Sequence, residues 1–136
     1  MDKEKELHLT FIQNAISRLA NNSSQIKTWA ISIIGALFTA FCALENKIET
    51  NILVMLSIGL LLAFYFLDVY YLWMEKEYRE LYNKIINNKP VKALTMNPGL
   101  PKCKKAVLLW ESVKSVSTLG FYSVLLGLII LLIHFI

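Results

Sequence analysis

Three long apolar stretches dominate the chain. They run from about Ile26 to Leu44, from about Ile52 to Trp73 and from about Val116 to Ile136. A hydrocarbon core about 30 Å thick takes roughly 20 helical residues to cross. Each stretch meets that length, whereas buried helices of soluble all-α domains are usually shorter. Inside the three, the ionic residues are Lys27, near the start of the first, and Asp68, near the end of the second. From Thr118 to Ile136 there is no Asp, Glu, Lys or Arg. The pattern predicts an all-α integral membrane helical bundle with three transmembrane helices.

Between the spans the period changes from continuous to amphipathic. His8, Phe11, Ile12, Ala15, Ile16 and Leu19 recur at helical spacing and predict an N-terminal amphipathic helix within residues 1–25. Asn21, Asn22, Ser23 and Ser24 are expected to interrupt or cap it before the first span, residues 26–44. Packing on the rest of the cytoplasmic part is the favoured place for its apolar face. The alternative is the plane of the membrane interface, which the modest stripe and the mixed charge of the polar face support less well. The second span, 52–73, has no strong breaker after it. Tyr78, Leu81, Tyr82 and Ile85 continue its stripe, so one helix of about 55 Å should run to residue 88 and project from the bilayer. Asn87, Asn88 and Pro90 end it, and Asn97, Pro98, Gly99 and Pro101 make a second break. The basic segment 89–115 includes an amphipathic run from about Lys104 to Val116 and leads into span 116–136. No repeat divides the chain, which reads as a single membrane domain.

Composition agrees: of 136 residues, 56% are hydrophobic and only 18% charged, with a mean hydropathy of +0.50. That is too little charge to cover a soluble domain. The net charge of +4 is unevenly placed. Lys3, Lys5, Arg18 and Lys27 precede or open the first span. Lys47 alone lies in the Glu45–Asn51 turn. The Glu75–Ser115 segment holds Lys76, Arg79, Lys84, Lys89, Lys92, Lys102, Lys104, Lys105 and Lys114. The positive-inside rule then predicts a cytoplasmic N-terminus and an outward C-terminus, N-in and C-out. Trp29, Trp73 and Trp110 fall near the same boundary, as an interfacial aromatic belt would. A cleaved signal is not expected, because the leader to Lys27 is long and carries Asp2, Glu4 and Glu6. Nor is a lipid anchor, since Phe41 stands where a lipoprotein site before Cys42 needs a small residue.

Asp68 is the most informative single residue, since a carboxylate at membrane depth costs a few kcal/mol unless paired, hydrated or near the interface. It predicts either a buried pair with Arg18, Lys27 or Arg79, a hydrogen bond to a tyrosine, or a carboxylate lining a pore or vestibule. Arg18, Asp68, Glu75 and Arg79 are the candidates for a polar switch or pore lining. Ser117, Gly120, Ser123 and Gly127 form a small-residue stripe on the third span, a candidate for helix association. Gly35 with Thr39, and Ser57 with Gly59, are lesser versions. Packing within one chain is the simpler use of all of them. Three short spans hardly enclose an aqueous path, so a pore would need several copies.

The remaining chemistry is sparse. Two Cys (Cys42, Cys103) and two His (His8, His134) are too scattered for a zinc site. No phosphate loop and no nucleophile with a nearby His is visible, so neither an enzyme nor a cofactor is expected. Glu75, Glu77, Arg79 and Glu80 read as a solvated helix face with local ion pairs. The basic loop suits anionic lipid. It lacks the aromatic interleaving that nucleic-acid binding would want, so nucleic acid is an unlikely partner.

The N-terminal string His8, Phe11, Ile12, Gln13, Ile16, Arg18, Asn22, Ser23, Lys27 and Trp29 resembles a pattern in small bacterial multi-span membrane proteins. So do Leu67-Asp68-Val69-Tyr70-Tyr71-Leu72 with Glu75, Tyr78, Arg79, Leu81 and Tyr82, and Ser117, Phe121 and Tyr122 at the third span. In layout these resemble the SLATT-type membrane effectors of bacterial conflict systems. The resemblance implies a homo-oligomer in the bacterial inner membrane that perturbs or permeabilises it during antiphage defence. This chain has no separate ligand-binding domain, which implies a cytosolic sensor or enzyme as trigger. The alternative is a membrane anchor or regulatory subunit that docks such a protein.

Overall fold

In hydrocarbon a backbone must satisfy its own hydrogen bonds, and a helix does so locally. The computed structural model describes residues 2–43 and 47–135, Lys47 and Ile48 by their backbone alone. Helix α1 spans Lys3–Ala43 and α2 spans Lys47–Ile86. After a loop come α3, Lys102–Val113, a π-helical turn, Val116–Gly120, and α4, Phe121–Phe135. Among the described residues three helical stretches are long and apolar enough to cross a membrane, Lys3–Ala43, Glu49–Ile86 and Lys102–Phe135, each holding an 18-residue window whose mean hydropathy is 1.6, 2.4 and 2.4 respectively. The architecture is that of a multi-pass membrane protein. Of the predicted first turn, Glu45 and Asn46 lie outside the described residues, as do Met1, Leu44 and Ile136; α2 already begins at Lys47.

The N-terminal helix and the first span are one helix, contrary to the expected interruption at Asn21–Ser24. Such side chains weaken a helix by competing for its backbone groups. Here the Ser23 hydroxyl is engaged by α2 instead, and the Ser24 carbonyl accepts Thr28 Oγ1 at 3.1 Å within the helix. Helix α2 is 40 residues, about 60 Å, so at least one end stands clear of a bilayer core.

α1 and α2 form an antiparallel hairpin, and α3–α4 runs back along α2. Lys104 Nζ meets Glu80 Oε2 at 2.7 Å, Lys76 Nζ meets Glu111 Oε2 at 3.8 Å, and Tyr65 donates to the Val113 carbonyl at 2.9 Å. Two apolar cores result. Leu9, Ile12 and Ile16 of α1 pack with Leu81 and Ile85 of α2, so the N-terminal stripe faces the α2 extension. Ala30, Leu61, Tyr122, Leu125 and Ile129 form the second core among the spans, where the small Ala30 lets α1 approach. Outside these, Ile52, Met55, Phe66 and Val124 are more than 60% exposed, a surface suited to lipid.

The third span does not begin as a simple α-helix. Ser115 is extended between α3 and the π-helical turn, which frees carbonyls at the end of α3. Thr118 Oγ1, fully buried, donates to the Ser112 carbonyl at 2.8 Å, while Tyr65 takes that of Val113. The connecting loop is pinned in turn. Lys5 Nζ donates to Asn88 Oδ1 at 2.6 Å, His8 Nε2 lies 2.6 Å from the Thr95 carbonyl, and Lys84 Nζ donates to the Pro98 carbonyl at 3.0 Å.

Candidate functional site: a buried charge cluster between the spans

Ser23 and Lys27 stand one turn apart on α1, so both face the same stripe of α2. That stripe presents Asp68, which is fully buried. Ser23 Oγ donates to Asp68 Oδ1, and Lys27 Nζ donates to Ser23 Oγ at 3.1 Å. Lys27 Nζ also lies 2.6 Å from Asp68 Oδ2 as an ion pair. That contact is close but poorly aligned, and Oδ2 has no hydrogen-bond donor among the described residues. The ammonium stands 6.0 Å from the centre of the Phe121 ring. The Tyr122 hydroxyl donates to the Phe64 carbonyl at 3.2 Å and lies within reach of Asp68 as a second acceptor. All three spans therefore meet at this carboxylate. The arrangement neutralises an acid that hydrocarbon would otherwise disfavour, and it fixes the rotation and height of α1 against α2.

Arg18, Glu75 and Arg79 are not part of this cluster. Arg79 is eleven residues from Asp68, about 16 Å along the helix. Its guanidinium holds Glu75 Oε1 at 2.6 Å and 2.9 Å in a local i,i+4 pair. Glu75 is itself mostly buried, so this helix face is less solvated than its sequence implies. Arg18 is exposed and lines a surface groove with Phe11, Asn14, Ala15 and Met96. The expected meeting of Arg18, Asp68 and Arg79 does not occur, because α2 carries Asp68 and Arg79 at different heights of the hairpin. Arg79 is 61% exposed but Glu75 is not, so Arg79→Ala leaves a mostly buried carboxylate without its cation and should destabilise the chain by about 1–3 kcal/mol in a denaturant titration, less than loss of Lys27.

The small-residue stripe lies on the outside. Thr118, Tyr122, Leu125 and Ile129 form the packed face of the third span. Ser117, Ser123 and Gly127 are exposed and Gly120 is half-buried. No heavy atom beyond its own helix backbone and chain neighbours comes within 4 Å of a Cβ built on Gly127. The Ser123 hydroxyl is satisfied by the Leu119 carbonyl of its own helix. Ser117, Ser123 and Gly127 thus take no part in the packed face of the third span.

Sequence reasoning named Lys27 among three cationic partners for Asp68 but read Ser23 as a helix cap. The signal that could have found it is the Ser23–Lys27 spacing on the face opposite the single intramembrane acid. Among the described residues no group of His, Cys, Asp and Glu could hold a metal. Compared with known proteins, the chain matches no family model, no curated protein and no solved structure.

Proposed function

We propose that this chain is a small membrane effector that associates with copies of itself and permeabilises the bacterial inner membrane, acting in antiphage defence. The observation that carries the reading is the position of Gly120, Ser123 and Gly127, on the face of the third span turned away from the packed one. Small residues let membrane helices approach closely, and this face is unused within the chain. Three spans hardly enclose an aqueous path, so permeation would require several copies. The lysine and arginine distribution supports an N-in, C-out placement with Asp68 near the cytoplasmic edge. The Ser23–Lys27–Asp68 cluster then serves as the switch, holding α1 on α2 until a cytosolic sensor disturbs the projecting lobe, which is the start of α1 and α3 packed on the far end of α2. The resemblance of the layout to that of SLATT-type effectors supports the biological setting. The reading assigns no catalytic step and no cofactor.

Induced expression with the genomic partners and a trigger should collapse the membrane potential, and a potential that stays intact refutes the reading. The detergent-extracted particle should have the mass of several chains. Gly127→Leu and Ser123→Leu should reduce it towards one chain and remove the leak, with helical content unchanged.

A second reading, an anchor or regulatory subunit for a cytosolic enzyme or sensor, is favoured by the exposed apolar residues of the lobe. Leu7, Phe11, Val107 and Trp110 are 47%, 47%, 56% and 60% exposed. A stable complex with such a partner in a non-conducting membrane would select it.

A further inference from the structure

α1 and α4 meet at Ala30 and Tyr122, and further from the Asp68 cluster an apolar cavity of about 460 Å³ separates them. Ile34, Phe38 and Cys42 of α1, Ser57 of α2, and Leu128 and Leu132 of α4 are among its walls. The Ser57 hydroxyl is satisfied by the Leu53 carbonyl at 2.8 Å, so its polar group asks nothing of the cavity.

We propose that this cavity is a binding site for the acyl chain of a phospholipid. Three observations point to that occupant. The walls belong to the apolar spans, where hydrocarbon is the surrounding solvent and an empty void forfeits the dispersion contacts of its lining. The cavity extends along α1 from Ile34 to Cys42, about 12 Å at 1.5 Å per residue, close to the ~15 Å that one leaflet contributes to the hydrocarbon core. The cavity reaches Cys42 and Phe135, near the ends of α1 and α4, which sets the headgroup at the boundary of the span. The lipid acts as a wedge, holding α1 and α4 apart in the leaflet distant from Asp68.

The test is native mass spectrometry of the full chain extracted from membranes in a mild detergent. Wild type should retain a phospholipid that Ile34→Trp and Leu128→Trp, which fill the cavity, both lose. Val124→Trp, on the outer surface of the same span, should keep it. Circular dichroism establishes that each variant is folded. Wild-type Cys42 gives a readout that needs no variant. Both thiols are exposed in the chain itself, so alkylation of Cys42 should be slow in phospholipid nanodiscs and faster after delipidation into short-chain detergent, while Cys103, on α3 away from the cavity, reacts alike in both. Equal lipid retention by wild type and folded cavity-filling variants overturns the proposal, as does a Cys42 rate indifferent to delipidation. Cys42–Cys42 crosslinking between copies without retained lipid would overturn it in favour of a second chain at this site.

Discussion

Lys27→Met is expected to destabilise the folded chain by about 3 kcal/mol or more, because it strands a fully buried Asp68 without its cation. Asp68→Leu should cost less. Lys27 is 19% exposed and its long stem can carry the ammonium towards water once the acid is gone, whereas Asp68 is short and enclosed. The double variant Lys27→Met/Asp68→Leu should recover most of the loss, since it removes both charges together and leaves apolar side chains in an apolar place. Unfolding titrations of the four proteins in mixed micelles form the cycle that measures this. A coupling energy indistinguishable from zero would mean that the pair does not hold α1 to α2. The same cycle bears on the proposed function. If the cluster is the switch, Lys27→Met should leak without a trigger and the double variant should not.

Leu81→Ala should cost about 2–5 kcal/mol, the range for emptying a well-packed core position. Leu81 is fully buried against Leu9, Ile12 and Ile16 on the part of α2 that extends past the second span. There the unfolded chain exposes leucine to water, so both transfer and packing are lost. Leu125→Ala, in the core among the spans, should cost clearly less. Its unfolded reference remains in hydrocarbon, where a leucine gains nothing by leaving lipid, and packing alone is lost. Thermal or denaturant unfolding of the two variants in one detergent compares them directly. Equal costs would mean that the α2 extension is not in water, and would move the membrane boundary past Leu81.

Much of the lobe was legible along the chain. The apolar stripe of α1 and its partner at Tyr78, Leu81, Tyr82 and Ile85 share a helical period, and they meet through Ile12 and Ile16, while Phe11 of the same stripe stays exposed. The end of α2 was marked by Asn87, Asn88 and Pro90, and Asn88 does take a left-handed backbone, with φ of 54°. The polar run Asn21–Ser24 misled, because the Ser23 hydroxyl, which could cap a helix in isolation, is taken by Asp68 of the neighbouring α2 while the helix runs on. The start of the third span was equally hidden. Whether Ser115 breaks the helix depends on Tyr65 and Thr118 accepting its consequences, and Tyr65 lies 50 residues away in sequence.

What the amino-acid order determined by itself is what scales with length and hydropathy: the helical class, three stretches able to cross a membrane, and the presence of one acid and one base inside them. These are properties of single segments, and a bilayer of defined thickness reads them one segment at a time. Only the tertiary structure decided that Asp68 belongs to Lys27 and Ser23, that Arg18 and Arg79 are elsewhere, and that Ser117, Ser123 and Gly127 face outward. Those outcomes depend on the rotation and height of each helix against the others. A shift of one residue turns a side chain by about 100° around the axis, and apolar surfaces that match all round leave that rotation to a few polar contacts and small residues to choose.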